Sequence, residues 1–400
     1  MKIAYLVPYV PNQIRTRSFN LISSLTELGH VVDVFTLGSN DVDVRDAGLL
    51  KANCIYYEHQ SLWRSLFNAA LAVPSNRPLQ SVYSWNPKLA AQLKTQLSEY
   101  DVLQVEHLRG AEYGAFIKSQ VPSMPVVWDS VDCISHLFKQ ASSQSRSAFG
   151  KFVTRFELSR TRNAEGRFVG AFDHVLVTSA TDKNALLDLV PKDVNAAPIA
   201  VLSNGVDQDY FRVNAGIERD PDTLVFSGKM SYHANVSMVM YLLNEIMPRL
   251  WEKRSSVRLV VVGKDPPASI RKMADSARVV VTGTVDDIRP YLWKAVAAVV
   301  PLVYGAGVQN KILEAMATAT PVITNSRALT SLAATPGKEL LVADSAEEFA
   351  RSVLQLIEDP DLQKNVGAAG LEYVRTHHSW KESARKLVDI YASLPAATAG

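Results

Sequence analysis

The sequence predicts an α/β fold of two doubly wound parallel-sheet domains, and three observations predict it. Short apolar runs rich in Val, Leu and Ile recur along the chain, among them Lys2–Val7, Tyr100–Val105, Val257–Val262 and Ala297–Val300. Strands apolar on both faces belong to parallel sheets covered by helices. Between these runs lie stretches with the apolar spacing of helices. The alternation breaks at the polar, turn-rich segments Val201–Asp207 and Asn214–Pro221 and then resumes. The 400 residues also exceed what one core of ordinary size organises. The expected division is 1–200, 201–375 and a closing helical segment 376–400 that crosses back to the first domain.

The elements follow in order. Lys2–Val7 is a first buried strand. Ile14–Leu28 places Phe19, Ile22, Leu25 and Leu28 on one helical stripe, and Gly29 stands where a C-cap glycine belongs. Val31–Thr36, Tyr100–Val105, Pro125–Trp128 and Asp173–Thr178 read as further strands, with helices over Asn86–Glu99 and Ser147–Phe168. In the second half the strands are Thr223–Phe226, Val257–Val262, Val279–Val281, Ala297–Val300 and Pro321–Thr324. Helices fall at Val236–Glu252, Ala268–Ser276, Asp287–Lys294, Gln309–Ala317, Ala346–Ile357, Pro360–Thr376 and Trp380–Ser393. In such open sheets ligands bind outside the carboxyl ends of the strands, so the expected site is a cleft faced by both domains.

Bulk properties narrow the function. Lys and Arg number 42 against 40 Asp and Glu, a net charge of +2, so nothing global points to nucleic acid. Cys54 and Cys133 have no metal-ligand spacing and suit a reducing compartment. The opening apolar run is cut by Pro8 and Pro11 and reads as a strand rather than an export signal. No uninterrupted run of 18 apolar residues implies a spanning helix. The expected location is cytoplasmic, with peripheral contact at the inner membrane face.

The stretch Val299–Asn325 carries the most chemistry. A strand ends, glycines turn the chain, and a helix opens with Lys311 and Glu314 three residues apart on one face. A helix start offers free N–H groups and a positive dipole end that suit a phosphate, with a carboxylate beside it to accept from hydroxyls. Such a pair is equally consistent with a solvated ion pair on an ordinary crossover helix.

Several segments in fixed order resemble the retaining, family 4 (group 1) glycosyltransferases of the GT-B fold. They are Asn204–Asp207 (NGVD), Val225–Lys229, Val261–Gly263, Gly283–Val285, Leu313–Ala317 (LEAMA) and Pro321–Ile323. The GxxNKxLEAMA pattern resembles most the bacterial exopolysaccharide-type subgroup. The resemblance implies transfer of a sugar from a nucleotide-sugar donor, UDP-linked or GDP-linked, to a hydroxyl acceptor with retention. Saccharide, lipid-linked and small-molecule acceptors all fit, in polysaccharide or glycolipid synthesis. On this resemblance Glu314 accepts from the donor ribose, and Gly228, Gly263, Val285, Gly307 and Val308 line the donor. Lys229 and Lys311 stabilise the leaving diphosphate. The usual glutamate eight positions before Glu314 is here Ala306, and the second member of the usual basic pair falls on Ala234. No metal and no separate cofactor are expected.

In the first half Arg15 and Arg17 replace the family's Gly-Gly loop and are candidates for phosphate or an acidic acceptor. His107 or Glu106 falls at the strand end where the family carries a histidine. Asp129 follows another strand and is a candidate to orient an acceptor hydroxyl, and Asp132 reads as the N-cap of the next helix. Asp41 and Asp43 lie in a polar loop, and Asp286 and Asp287 open a helix. His377 and His378 read as linker. Arg146–Arg167 holds six basic and two acidic residues among aromatics, a candidate contact for an anionic membrane. A non-catalytic nucleotide-sugar-binding subunit and a sugar-nucleotide epimerase are the alternatives.

Overall fold

The computed structural model describes residues 1–12, 15–144, 148–275, 277–304 and 308–395, with 140–144 and 148–155 as backbone only. The chain divides into two compact units, Met1–Asn204 with Trp380–Gly400, and Gly205–Ser379.

The first unit holds seven parallel strands: β1 (Lys2–Val7), β2 (Val31–Gly38), β3 (Cys54–His59), β4 (Val102–Glu106), β5 (Val126–Val131), β6 (His174–Val177) and β7 (Ile199–Val201). Their order is β3-β2-β1-β4-β5-β6-β7. Leu6 lies opposite Val105, and Glu106 opposite Asp129, so the ends of β1, β4 and β5 come level. One face of the sheet packs Leu89, Leu93, Tyr113, Ile117, Trp128 and Val169. The other packs Ile3, Tyr5, Leu21, Ile22 and Leu25 against the last helix, Trp380–Ala392, through Trp380, Ala384, Leu387 and Tyr391. The Tyr391 hydroxyl also donates to Gln104 Oε1 on β4.

The second unit holds β8 (Asp220–Ser227), β9 (Arg258–Val262), β10 (Val279–Gly283), β11 (Ala295–Val300), β12 (Val322–Thr324) and β13 (Leu341–Val342). Their order is β10-β9-β8-β11-β12-β13, all parallel. β11 is buried at every position, as its unbroken AVAAVV requires.

Several local expectations are corrected. The segment with Asp41 and Asp43 is a helix, Asp41–Ala47, capped by Asn40. β3 and the helix Leu62–Ala72 lack a buried apolar period and were not expected. Val236–Glu252 is a helix interrupted by a π turn at Leu242–Ile246. Asp132 does not cap the helix that follows it. Glu165, from a distant helix, accepts the Ile134 and Ser135 N–H groups at 2.7 and 3.1 Å, and Asp132 instead accepts from the Thr178 hydroxyl at 3.2 Å. The helix after Asp286 and Asp287 starts only at Arg289. His377 ends the helix Pro360–His377, and His378 lies between it and the last helix as expected but is buried, its Nε2 3.1 Å from the Tyr373 hydroxyl.

Candidate functional site

Each sheet reverses its direction of winding once, between β1 and β4 in the first unit and between β8 and β11 in the second. The crevice at such a switch point is where open α/β sheets take ligands. Most of the candidate residues collect at these two places, each in its own unit.

In the second unit β8 ends at Gly228 and β9 at Gly263, both with positive φ (150° and 144°). Side chains are excluded on distance as well. A Cβ on Gly263 would sit 1.9 Å from the Gly228 carbonyl oxygen, and one on Gly228 would sit 3.3 Å from Lys311 Cε. The Gly228 N–H donates to Val262 and the Gly263 N–H to Gly283, so the strand ends form a bare backbone floor. Lys311 lies over this floor, its Nζ 5.6 Å from the centre of the Phe226 ring.

Lys311 and Glu314 sit on the Asn310–Ala317 helix. Both are half-buried, and among the described residues no ion pair joins them. Burial pulls the Lys311 ammonium down to about 8 despite the neighbouring Glu314. Burial pushes the Glu314 carboxyl up to about 7 despite Lys311. Their half-burial, with no ion pair between them, distinguishes these residues from a fully solvated surface pair. The only hydrogen bond to the Lys311 ammonium among the described residues is a long one, 3.4 Å to Gln309 Oε1.

Beneath Gly228, the Asn235 amide donates to the Lys229 carbonyl at 2.9 Å while its buried Oδ1 has no partner among the described residues. The Lys229 side chain is exposed, whereas Ala234 is buried in its helix. Val308 packs into the core, and Val285 lies partly buried against it. Asp287 is engaged by Arg289 and by the Tyr210 hydroxyl. Asp207 accepts the Asp209 and Tyr210 N–H groups. Gly307, with Gly305 and Ala306, lies outside the described residues. His233 and Tyr304, which the sequence reading missed, stack at 5.4 Å just before that segment, with Nδ1 2.5 Å from the phenol oxygen.

The first unit's switch point is built differently. Arg17 donates through Nε and Nη2 to both oxygens of Asp129 (2.8 and 3.1 Å) and through Nη1 to the Leu202 carbonyl and Asn204. Both side chains are buried, so they form one structural pair that ties β5 to the chain's exit from the unit. Beside them Glu106 accepts from Tyr5 at 3.1 Å and from Tyr9 at 2.5 Å. Burial and the nearby Asp129 hold its carboxyl well above the ordinary range.

His107 follows at φ 66°, and Val131, at the end of β5, at φ 68°. A positive φ is costly for residues with a Cβ, and most of all for a β-branched one. His107 Nδ1 is buried without a partner among the described residues. Burial, then Arg109, pull its imidazole down to about 4. A neutral ring of that kind can hydrogen-bond a hydroxyl but is a weak proton acceptor.

Arg15 stacks on Tyr9 at 4.6 Å and Arg109 lies 5.6 Å over Tyr83. Neither has a carboxylate partner among the described residues, and Arg109 Nε is buried without a bond. Arg109 is a site candidate the sequence reading missed, because it lies within a helix with no motif around it. No group of three or more His, Cys, Asp or Glu is placed to hold a metal ion among the described residues.

Comparison with known proteins agrees with this architecture. The model for Glycosyltransferase Family 4 matches residues 14–210, and that for Glycosyl transferases group 1 matches residues 221–359. Sucrose-phosphate synthase from Thermosynechococcus elongatus has a similar structure, with a TM-score of 0.72 at 17% identity over 98% of each chain. The Anabaena protein HepE, solved in complex with UDP, gives 0.69 at 13% identity, over 98% of this chain and 100% of that one. A D-inositol 3-phosphate glycosyltransferase of Frankia alni is 25% identical over 264 residues. That match spans 59% of this chain and 63% of the relative, under two thirds of its length. The fold is GT-B, two parallel-sheet domains of the dinucleotide-binding type. The chain belongs to the family 4 (group 1) glycosyltransferases.

Proposed function

We propose that this protein transfers a sugar from a nucleotide-sugar donor, UDP-linked in the first instance and GDP-linked as the next choice, to a hydroxyl acceptor with retention of configuration. The observation that carries the reading is the half-buried Lys311 and Glu314 above the Gly228–Gly263 floor, neither with an ion-pair partner among the described residues. A diphosphate supplies the anion that Lys311 lacks, and ribose hydroxyls supply the donors that Glu314 lacks. Lys229 adds a second, exposed cation. The base lies against Val285, and the backbone of Val308 contacts the transferred sugar.

In the reaction the bond from the anomeric carbon to the leaving phosphate oxygen breaks, and the acceptor oxygen bonds to that carbon on the same face. The acceptor proton passes to the leaving phosphate. Lys311 and Lys229 stabilise the charge that develops there. Acceptor binding falls to the first unit, where Arg15 and Arg109, which have no carboxylate partner among the described residues, hold an anionic group and His107 hydrogen-bonds a hydroxyl. A saccharide or lipid-linked acceptor at an anionic cytoplasmic membrane surface, in glycoconjugate synthesis of the exopolysaccharide type, suits this arrangement.

The test is incubation with UDP-, GDP-, ADP- and TDP-sugars and a panel of acceptors, reading nucleotide release and the anomeric coupling of the product. Release with an inverted product would refute retention. Donor binding with no release under any condition would favour a non-catalytic nucleotide-sugar-binding subunit, the reading to which the buried Ala234 lends weight.

A further inference from the structure

Residues 60–98 contain no Asp or Glu, but include Arg64, Arg77, Lys88 and Lys94. Within them the Leu62–Ala72 helix packs inside out. Its buried positions are Ser65 and Ala72. Ser65 accepts from the Gln60 amide, and Asn68 donates to the Trp85 carbonyl. The apolar side chains point the other way: Trp63 is 82% exposed, Phe67 63%, Leu62 and Leu71 62% each, and Leu66 48%. The spacing 62, 63, 66, 67, 70, 71 is one continuous helical face. Scattered exposed apolar residues need no explanation, but a contiguous row does.

A second observation lies on the neighbouring helix, Ala148–Ala171. Arg160 donates to the carbonyls of Ala72, Val73 and Arg77, which ties this helix to the end of the exposed one. The Arg146–Arg167 stretch has only two acids, and both are turned into the protein. Glu157 accepts the Leu79 N–H, and Glu165 caps Ile134 and Ser135. Arg64, Arg162 and Arg167 are exposed and have no ion-pair partner among the described residues. Arg146 and the side chains of Lys151 and Arg155 lie outside the described residues.

We infer that the Leu62–Ala72 helix is an interfacial membrane anchor, its Trp63–Phe67 face entering the headgroup–acyl boundary of a bilayer whose anionic lipids are drawn by Arg64 and the adjoining arginines. The composition suits such a helix, with Trp63, Phe67 and leucines on one side and Arg64 beside them. Arg77 is paired with Glu112, but Arg64 is the one charge on the helix itself, so two copies of this face would bring like charges together, which disfavours a dimer contact as the occupant. Among the described residues no helix is long and apolar enough to cross a membrane, so the contact is one of lying on the bilayer. The inference does not depend on the transferase reading.

The test is sedimentation of the full chain with vesicles of phosphatidylcholine and phosphatidylglycerol (three to one), and of phosphatidylcholine alone, at low and high salt. The chain is expected to sediment with the anionic vesicles and less so at high salt. Combined Trp63→Ser and Phe67→Ser should lower partitioning at least about tenfold, with an unchanged melting temperature because both side chains are exposed. Arg64→Glu should weaken only the anionic case. Wild type remaining in the supernatant, or equal sedimentation of the double variant, would overturn the inference. So would a wild-type dimer that the double variant converts to monomer without any vesicle binding.

Discussion

The two switch points have the same topology and opposite chemistry. In the first unit Arg17 and Asp129 saturate each other, and Glu106 is bonded by two tyrosines. In the second, Lys311, Glu314 and the Asn235 carbonyl oxygen lack good partners among the described residues. Buried polar groups normally find partners within the fold. Where they have them, as around Asp129, their contribution is to the unit's own structure. Where they lack them, solvent or a ligand completes the set. The contrast separates residues that hold the fold from those proposed to take the donor.

The sharpest way to break the comparison is to remove a partner from the saturated side. Arg17→Leu leaves Asp129 buried without a counter-charge, which should cost about 3–5 kcal/mol of stability, read by denaturant unfolding. A change below about 1 kcal/mol would show that the pair is not structural. On the open side Lys311→Ala should lower kcat by about 100- to 1000-fold, more than it lowers donor affinity. A loss explained wholly by affinity would assign Lys311 to ground-state binding. Glu314→Ala should weaken the donor about tenfold to a hundredfold by calorimetry without lowering stability at neutral pH, because no partner among the described residues is lost and the cost of burying the carboxylate is removed. Unchanged affinity would refute its ribose role.

The smallest effect is the dependence of stability on pH. Glu314, raised to about 7 from an ordinary 4.5, binds more protons folded than unfolded. It therefore contributes stability at low pH that is lost as pH rises towards 7. Lys311, lowered to about 8 from 10.5, binds fewer protons folded, so its contribution rises between about pH 8 and 10.5. Unfolding titrations of Glu314→Gln and Lys311→Met should each remove one of these limbs relative to wild type. Superimposable curves would mean that neither group titrates as described.

The fold was legible because parallel strands buried on both faces leave unbroken apolar runs, such as Ala295–Val300, that resist other readings. Lys311 and Glu314 were legible because their relation is local, three residues along one helix. What could not be read joins distant positions or runs against the usual pattern. Arg17 meets Asp129 across 112 residues, which leaves no mark on spacing, so both looked available to a ligand. Glu165 caps a helix 31 residues upstream, a role that Asp132 seemed placed to fill. The Leu62–Ala72 helix went unseen because its apolar face does not look inward, and periodicity was being read as a sign of burial.

The last helix has a consequence for synthesis. Trp380, Ala384, Leu387 and Tyr391 finish a core begun by Ile3 and Tyr5. A nascent chain that has emerged as far as Asn204 therefore still lacks one wall of its first unit. At ribosomal speed the missing wall follows roughly 10 to 40 seconds later. During that interval the apolar side chains of the first helix, Leu21, Ile22 and Leu25, and the sheet face beside them lack that cover, a target for chaperones. The second unit, whose sequence is uninterrupted from Gly205 to Ser379, can close before the one that precedes it.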